Sequence, residues 1–133
     1  MATLTPNSDA EVSIVELGTL KIETLTTTTT VGTMNVYLSV PTGKRWTIKS
    51  VNIQMSGTTA TYSTLLARLG GVSVRIGVTS ALSSGVTEIY DLSQTVAGNL
   101  SIISGSDLRF TVGGVAGAGS NVIVTALVVE SDL

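Results

Sequence analysis

Nucleophilic hydroxyls run the length of this chain, but nothing that would activate them stands beside them. Among its 133 residues there is no His and no Cys. His is the usual general base near neutral pH and the commonest transition-metal ligand. Without Cys, thiol catalysis, thiolate metal sites and disulfide staples are excluded. A Ser–Lys arrangement would need one of Lys21, Lys44 or Lys49, and each lies at a strand or turn position with no motif around it. Paired carboxylates for glycosidic chemistry would have to come from acids such as Glu88, Asp91 and Asp107. These sit near predicted turns, where solvation is their commoner role. No Asp-rich loop suits calcium. Gly43-Lys44 falls between two strands, not at the head of a helix, so it is no phosphate loop. The chain is therefore expected to be a non-enzyme, with no catalytic, cofactor-binding or metal-binding residues.

Binding chemistry is also sparse. The densest cations are Lys44, Arg45 and Lys49, which a solvated hairpin end explains at least as well as a phosphate site. Net charge is −2 and aromatics are 4 %. A stacking platform on a basic face is missing, and neither nucleic acid nor a membrane is expected as a partner. Trp46 beside Arg45 reads as a core or interface anchor. No run approaches 18 apolar residues, and the opening MATLTPNSDAEV lacks the basic-then-apolar order of a signal peptide. The expectation is a product that stays in the cytoplasm of the cell that makes it unless an assembly carries it out.

What the composition does offer is a surface. Charged residues are 12 %, about half of the usual ~25 %, with Thr and Ser in their place. A hydroxyl-coated exterior lets another chain approach with little desolvation of ions. Thr also favours strands, which accounts for part of the enrichment.

The elements that would carry this surface are β-strands throughout. Residues 1–11 read as an arm, with Pro6, Asn7, Ser8 and Asp9 and few anchors. Val12 to Leu25 alternates, broken at Gly18, and the run Thr26 to Thr30 extends it as a connector or edge strand. Met34 to Val40 is a half-buried strand, closed by the turn Pro41 to Lys44. In the strand Trp46 to Met55 the apolar parity changes between Ile48 and Val51. This predicts a bulge near Lys49 or Ser50, or burial on both faces. Leu65 to Val78 is a hairpin about Gly70-Gly71. Val86 to Leu92 reads as one short strand with Glu88 and Asp91 exposed. Leu100 to Ile103 leads into a turn, and Leu108 to Val112 is a strand. Gly113 to Gly119 is a small-residue loop, read as a flexible hairpin end in preference to a site of close backbone approach.

The last strand, Asn121 to Glu130, is apolar on both sides. Val122, Val124, Ala126 and Val128 make one face; Ile123, Leu127 and Val129 make the other. A sandwich uses one face of each sheet, so the second needs a covering layer, and self-association is the reading favoured. The fold class is all-β, an antiparallel β-sandwich with jelly-roll topology preferred over an immunoglobulin-like one. Residues 1–30 form an extended N-terminal arm and 31–133 the sandwich domain. Candidate interface residues are Val12, Ile14, Leu17, Leu20 and Ile22 on the arm and Ile123, Leu127 and Val129 on the last strand.

The stretch PTGKRWTIKSVNIQMS resembles the opening of small β-sandwich modules in tailed-bacteriophage virion proteins. LSIISGSDLRFTVGG and NVIVTALVVE resemble their closing strands, with Gly105, Asp107, Leu108 and Glu130 at the matching positions. The likeness spans about residues 34–130, and each motif is also general β-grammar. It implies a virion component: a capsid decoration (cement) protein bridging capsomers or, alternatively, a tail or fibre module binding a receptor or carbohydrate, for which Tyr62 or Tyr90 would serve. The cement reading implies a homotrimer on the capsid surface, with the major capsid protein as partner and synthesis in the host cytoplasm.

Overall fold

The computed structural model describes residues 18–92 and 100–133. Within them the chain runs through ten strands: β1 (Thr19–Thr28), β2 (Gly32–Ser39), β3 (Lys44–Ser56), β4 (Tyr62–Leu69), β5 (Val72–Thr79), β6 (Thr87–Ile89), β7 (Asp91–Leu92), β8 (Ser101–Ile103), β9 (Asp107–Val115) and β10 (Asn121–Asp132). They form two antiparallel sheets, packed as a β-sandwich. The first has the order β1-β10-β3, with β6 and β8 sharing the position beyond β3. The second has the order β2-β9-β4-β5-β7.

Period-two alternation selects the core. On β2, Met34, Val36 and Leu38 are buried while Asn35, Tyr37 and Ser39 are exposed. On β10, Val122, Val124, Ala126 and Val128 are fully buried against Trp46, Ile48, Ile53 and Phe110 in one contiguous cluster. The parity change in β3 is a bulge. Val128 pairs with Ile48 and Leu127 with Ser50, leaving Lys49 as the extra residue. The bulge lets Ile48 and Val51 both point inward.

A second bulge lies in the β4–β5 hairpin. Leu65 pairs with Gly77 and Leu66 with Arg75, so Ile76 is the extra residue and is buried. Beyond it the alternation inverts: Val78 does not follow Ile76 inward but is exposed opposite Thr64. Gly70 and Gly71 turn the hairpin with positive φ, 64° and 148°, a conformation most side chains resist.

Three expectations change. The boundary at residue 30 moves, because Thr19 to Thr28 pairs along its whole length with β10 and belongs to the sandwich. Val86 to Leu92 is not one strand. β6 pairs with β3 in the first sheet, β7 pairs with β5 in the second, and Tyr90 between them is buried. Gly113 and Gly114 belong to β9 rather than to a loop. The Tyr62 ring lies on Gly113 and the Thr61 side chain on Gly114, leaving no room for a Cβ at either.

Candidate assembly surfaces

Strand register places the outer face of the first sheet row by row. Leu20, Val129 and Thr47 form one row; Ile22, Leu127 and Ser50 form the next. Then come Thr24, Thr125, Asn52 and Ile89, followed by Thr26, Ile123, Gln54 and Thr87. None of these residues is ionisable. Arg45, exposed in the adjoining row with Ser131 and Ile103, stands on the same face, and Lys49 is the bulge residue beside Ser50. Leu20 is 63 % exposed, Ile22 69 % and Ile89 71 %. Ile123 and Leu127 are half-buried and Val129 is buried.

Five of the candidate interface residues, Leu20, Ile22, Ile123, Leu127 and Val129, therefore share one face, and four of them form a compact apolar corner where β1 meets β10. Val129 differs from the expectation of a free apolar side chain, because it is already covered. Val12, Ile14 and Leu17 lie outside the described residues. The apolar corner gives way along the sheet to hydroxyls and amides. There Thr24 and Thr125 place their Oγ1 atoms 3.4 Å apart, and Thr87 donates to Gln54 Oε1 at 3.4 Å.

An ionic rim closes the end of this sheet where β1 begins. Glu130 accepts from the Trp46 indole Nε1 at 2.9 Å and from Lys21 Nζ at 3.1 Å. The indole bond first, then the lysine bond, hold the Glu130 carboxyl below its ordinary pKa of 4.5. Lys44 Nζ donates to Asp132 at 2.6 Å, which lowers the Asp132 pKa and raises that of Lys44. Trp46 is thus a core anchor, 1 % exposed, whose polar edge reaches this rim.

The outer face of the second sheet is unlike the first. Tyr37, Arg109, Leu66 and Arg75 form one row, and Ser39, Asp107, Arg68 and Ser73 the next. Arg68 clamps Asp107 with two bonds of 2.8 Å and lies 4.8 Å from the centre of the Tyr37 ring. The pairing neutralises Asp107 where it is nearly covered. Arg109 Nε is buried without a hydrogen-bond partner among the described residues. A shallow hollow beside the clamp is lined by Arg68, Gly70, Gly71, Ser73, Gly105 and Asp107.

The two tyrosines considered for sugar binding are placed differently. Tyr90 is buried, its hydroxyl paired with Ser63 Oγ and its ring edge-on to Phe110 at 5.7 Å. Burial pushes its pKa up. It is not available to a ligand. Tyr62 is 44 % exposed. Among the described residues no group of three or more acidic side chains gathers as a metal site would require.

No protein-family model matches the sequence, and no curated protein is significantly similar to it.

Proposed function

We propose that this chain is a structural virion protein, a capsid decoration (cement) protein of the tailed-bacteriophage kind, which stabilises a head by bridging capsomers. The observation that carries the reading is the four uncharged rows on the outer face of β1, β10 and β3, with Leu20 and Ile22 exposed on them. Large apolar side chains grouped on an ion-poor surface mark a place that another chain covers. The sequence resemblance supplies the kind of assembly. The strand order, β1-β10-β3-β6 facing β2-β9-β4-β5-β7, fits a jelly-roll reading of the sandwich.

In this reading Leu20, Ile22 and the half-buried Leu127, backed by the covered Val129, form contacts between copies of the chain, arranged as a homotrimer. The residues that precede β1 reach the major capsid protein and add a strand to one of its sheet edges. The site of action is the capsid surface, and synthesis is in the host cytoplasm. Each contact is modest, but repetition over many copies makes the shell resistant to heat. The test mixes purified protein with heads that lack it. Binding, together with a rise in the temperature at which heads rupture, is expected. Protein that neither binds heads nor raises that temperature overturns the proposal.

A further inference from the structure

Three of the chain's four arginines stand on one face, and only one of them is matched by an acid. Arg68, Arg75 and Arg109 lie on β4, β5 and β9, in two adjoining rows on the outer face of the second sheet. The three lysines all belong to β1 and β3, in the other sheet. Asp107 is the one carboxylate in these two rows, and Arg68 occupies both of its oxygens. Among the described residues neither Arg75 nor Arg109 forms an ion pair; Asp91, opposite Val78 at the β7 edge of the next row, reaches neither. Arg75 is exposed. Arg109 is half-buried, and its Nε is covered without a partner. Covering a guanidinium without a bond strips hydration that nothing replaces. An anion that reaches the rest of the group therefore acts through a weakened solvent screen. Leu66 lies between these two arginines, which stand two strand spacings apart, or about 10 Å.

The face discriminates among anions. Arg68 shows on this same surface how a guanidinium takes a carboxylate, fork to fork. A nucleic acid fits less well. Its bases need open aromatic faces, and the Tyr37 ring is already covered by Arg68 at 4.8 Å. Its phosphates bring one charge per ~3.4 Å of strand, whereas two unmatched arginines face it here on a chain of net charge −2. A second copy presenting the same face would set guanidinium against guanidinium. Residues 93–99, which follow β7, contain no carboxylate.

We propose that the outer face of β9, β4 and β5 docks on an acidic protein surface, with Arg75 and Arg109 each receiving a carboxylate and Leu66 covered between them. The inference rests on the assembly role proposed above and deepens it. This face lies on the opposite side of the sandwich from Leu20 and Ile22, so it meets the shell while those residues meet other copies, and the patch of shell beneath it is acidic.

The test titrates an oligoglutamate peptide into the full-length chain and follows backbone amide shifts by NMR. Shifts centred on Arg75, Leu66 and Arg109 are expected. Arg75→Gln with Arg109→Gln should weaken binding about two- to thirtyfold. Arg75→Gln alone, at an exposed position, should weaken it about two- to fivefold and keeps the test sound if the double variant unfolds. Three results overturn the inference: no shifts on this face; an oligothymidylate that binds there as tightly as oligoglutamate; or a chain carrying Asp9→Asn, Glu11→Gln and Glu16→Gln that shifts the same amides with no peptide present, which makes the chain's own acids the occupant. Head binding across a salt series is a separate readout. Unsubstituted protein that ignores heads yet takes oligoglutamate on this face removes the cement role and keeps the acid-binding surface. A double variant that binds heads as tightly as the unsubstituted chain at every salt concentration leaves the cement role standing and removes this contact.

Discussion

Replacing Leu20 and Ile22 together by Thr probes the apolar corner without disturbing the fold. Both side chains project from β1 onto the outer face, 63 % and 69 % exposed. Thr has the branched Cβ that suits a strand, as Ile22 does and Leu20 does not, and matches Thr24 and Thr26 further along the same face of β1. Complete burial of a Leu or Ile is worth about 1.5–3 kcal/mol. About two thirds of that remains to be gained on association, and Thr recovers part of it through its methyl group. The double substitution should therefore cost each contact about 2–3 kcal/mol, or ~30- to 150-fold in affinity. Folding of the isolated chain should change by no more than ~0.5 kcal/mol per site, as exposed substitutions do. Sedimentation equilibrium over a concentration series reads the first number, and urea unfolding of the dilute protein the second. Ile89→Thr, equally exposed but across the sheet, serves as a control and should weaken association less than about threefold. If the double variant associates within twofold of the unsubstituted chain while Ile89→Thr does not, the corner is not the contact and the row argument is wrong.

Other expectations follow from particular contacts. Gly113→Ala drives a Cβ into the Tyr62 ring and should cost about 1–3 kcal/mol in urea unfolding; adding Tyr62→Ala should recover most of that loss. Ser63→Ala leaves the Tyr90 hydroxyl buried without its partner and should cost about 1–3 kcal/mol, whereas Tyr90→Phe, after which Ser63 still donates to the Thr111 carbonyl, should cost about 0.5–1.5 kcal/mol in the same assay. Glu130 has a folded pKa below its ordinary 4.5, so its contribution is complete above that pH and is lost as pH falls through the folded value. Glu130→Gln should accordingly be less stable near neutrality, and the gap between the two proteins should close on acidification below about pH 4.5 in thermal melts taken across a pH series.

Much of the framework was legible because inward and outward residues alternate wherever one face is wet. The strand at Met34 to Val40, the hairpin turn at Gly70-Gly71 and the bulge at Lys49 all left local marks. The two-sided character of β10 was visible for the same reason, and it located Ile123 and Leu127 on the outer face. Other features left none. Nothing local tells the chain at Tyr90 to step from one sheet to the other, since Ile89 and Leu92 alternate acceptably in either. The Arg68–Asp107 clamp joins residues 39 positions apart and exists because β4 and β9 are neighbours, which periodicity does not encode. Gly113 looked like loop material because the Tyr62 ring that fills its missing Cβ is distant in sequence. The Thr run left a connector and an edge strand as alternatives, and pairing of Thr26 to Thr28 with Asn121 to Ile123 makes it the end of the edge strand β1.

The placement of β10 also sets the order in which the molecule can be completed. It lies between β1 and β3 and pairs with both over most of its length, yet it is the last of the ten described strands to leave the ribosome. Until it emerges, the first sheet lacks its middle, and β1 has no partner within it. Such long-range closure folds slowly, and the waiting strands can be captured by other chains. A truncation that removes β10 should therefore yield an aggregating fragment rather than a smaller sandwich.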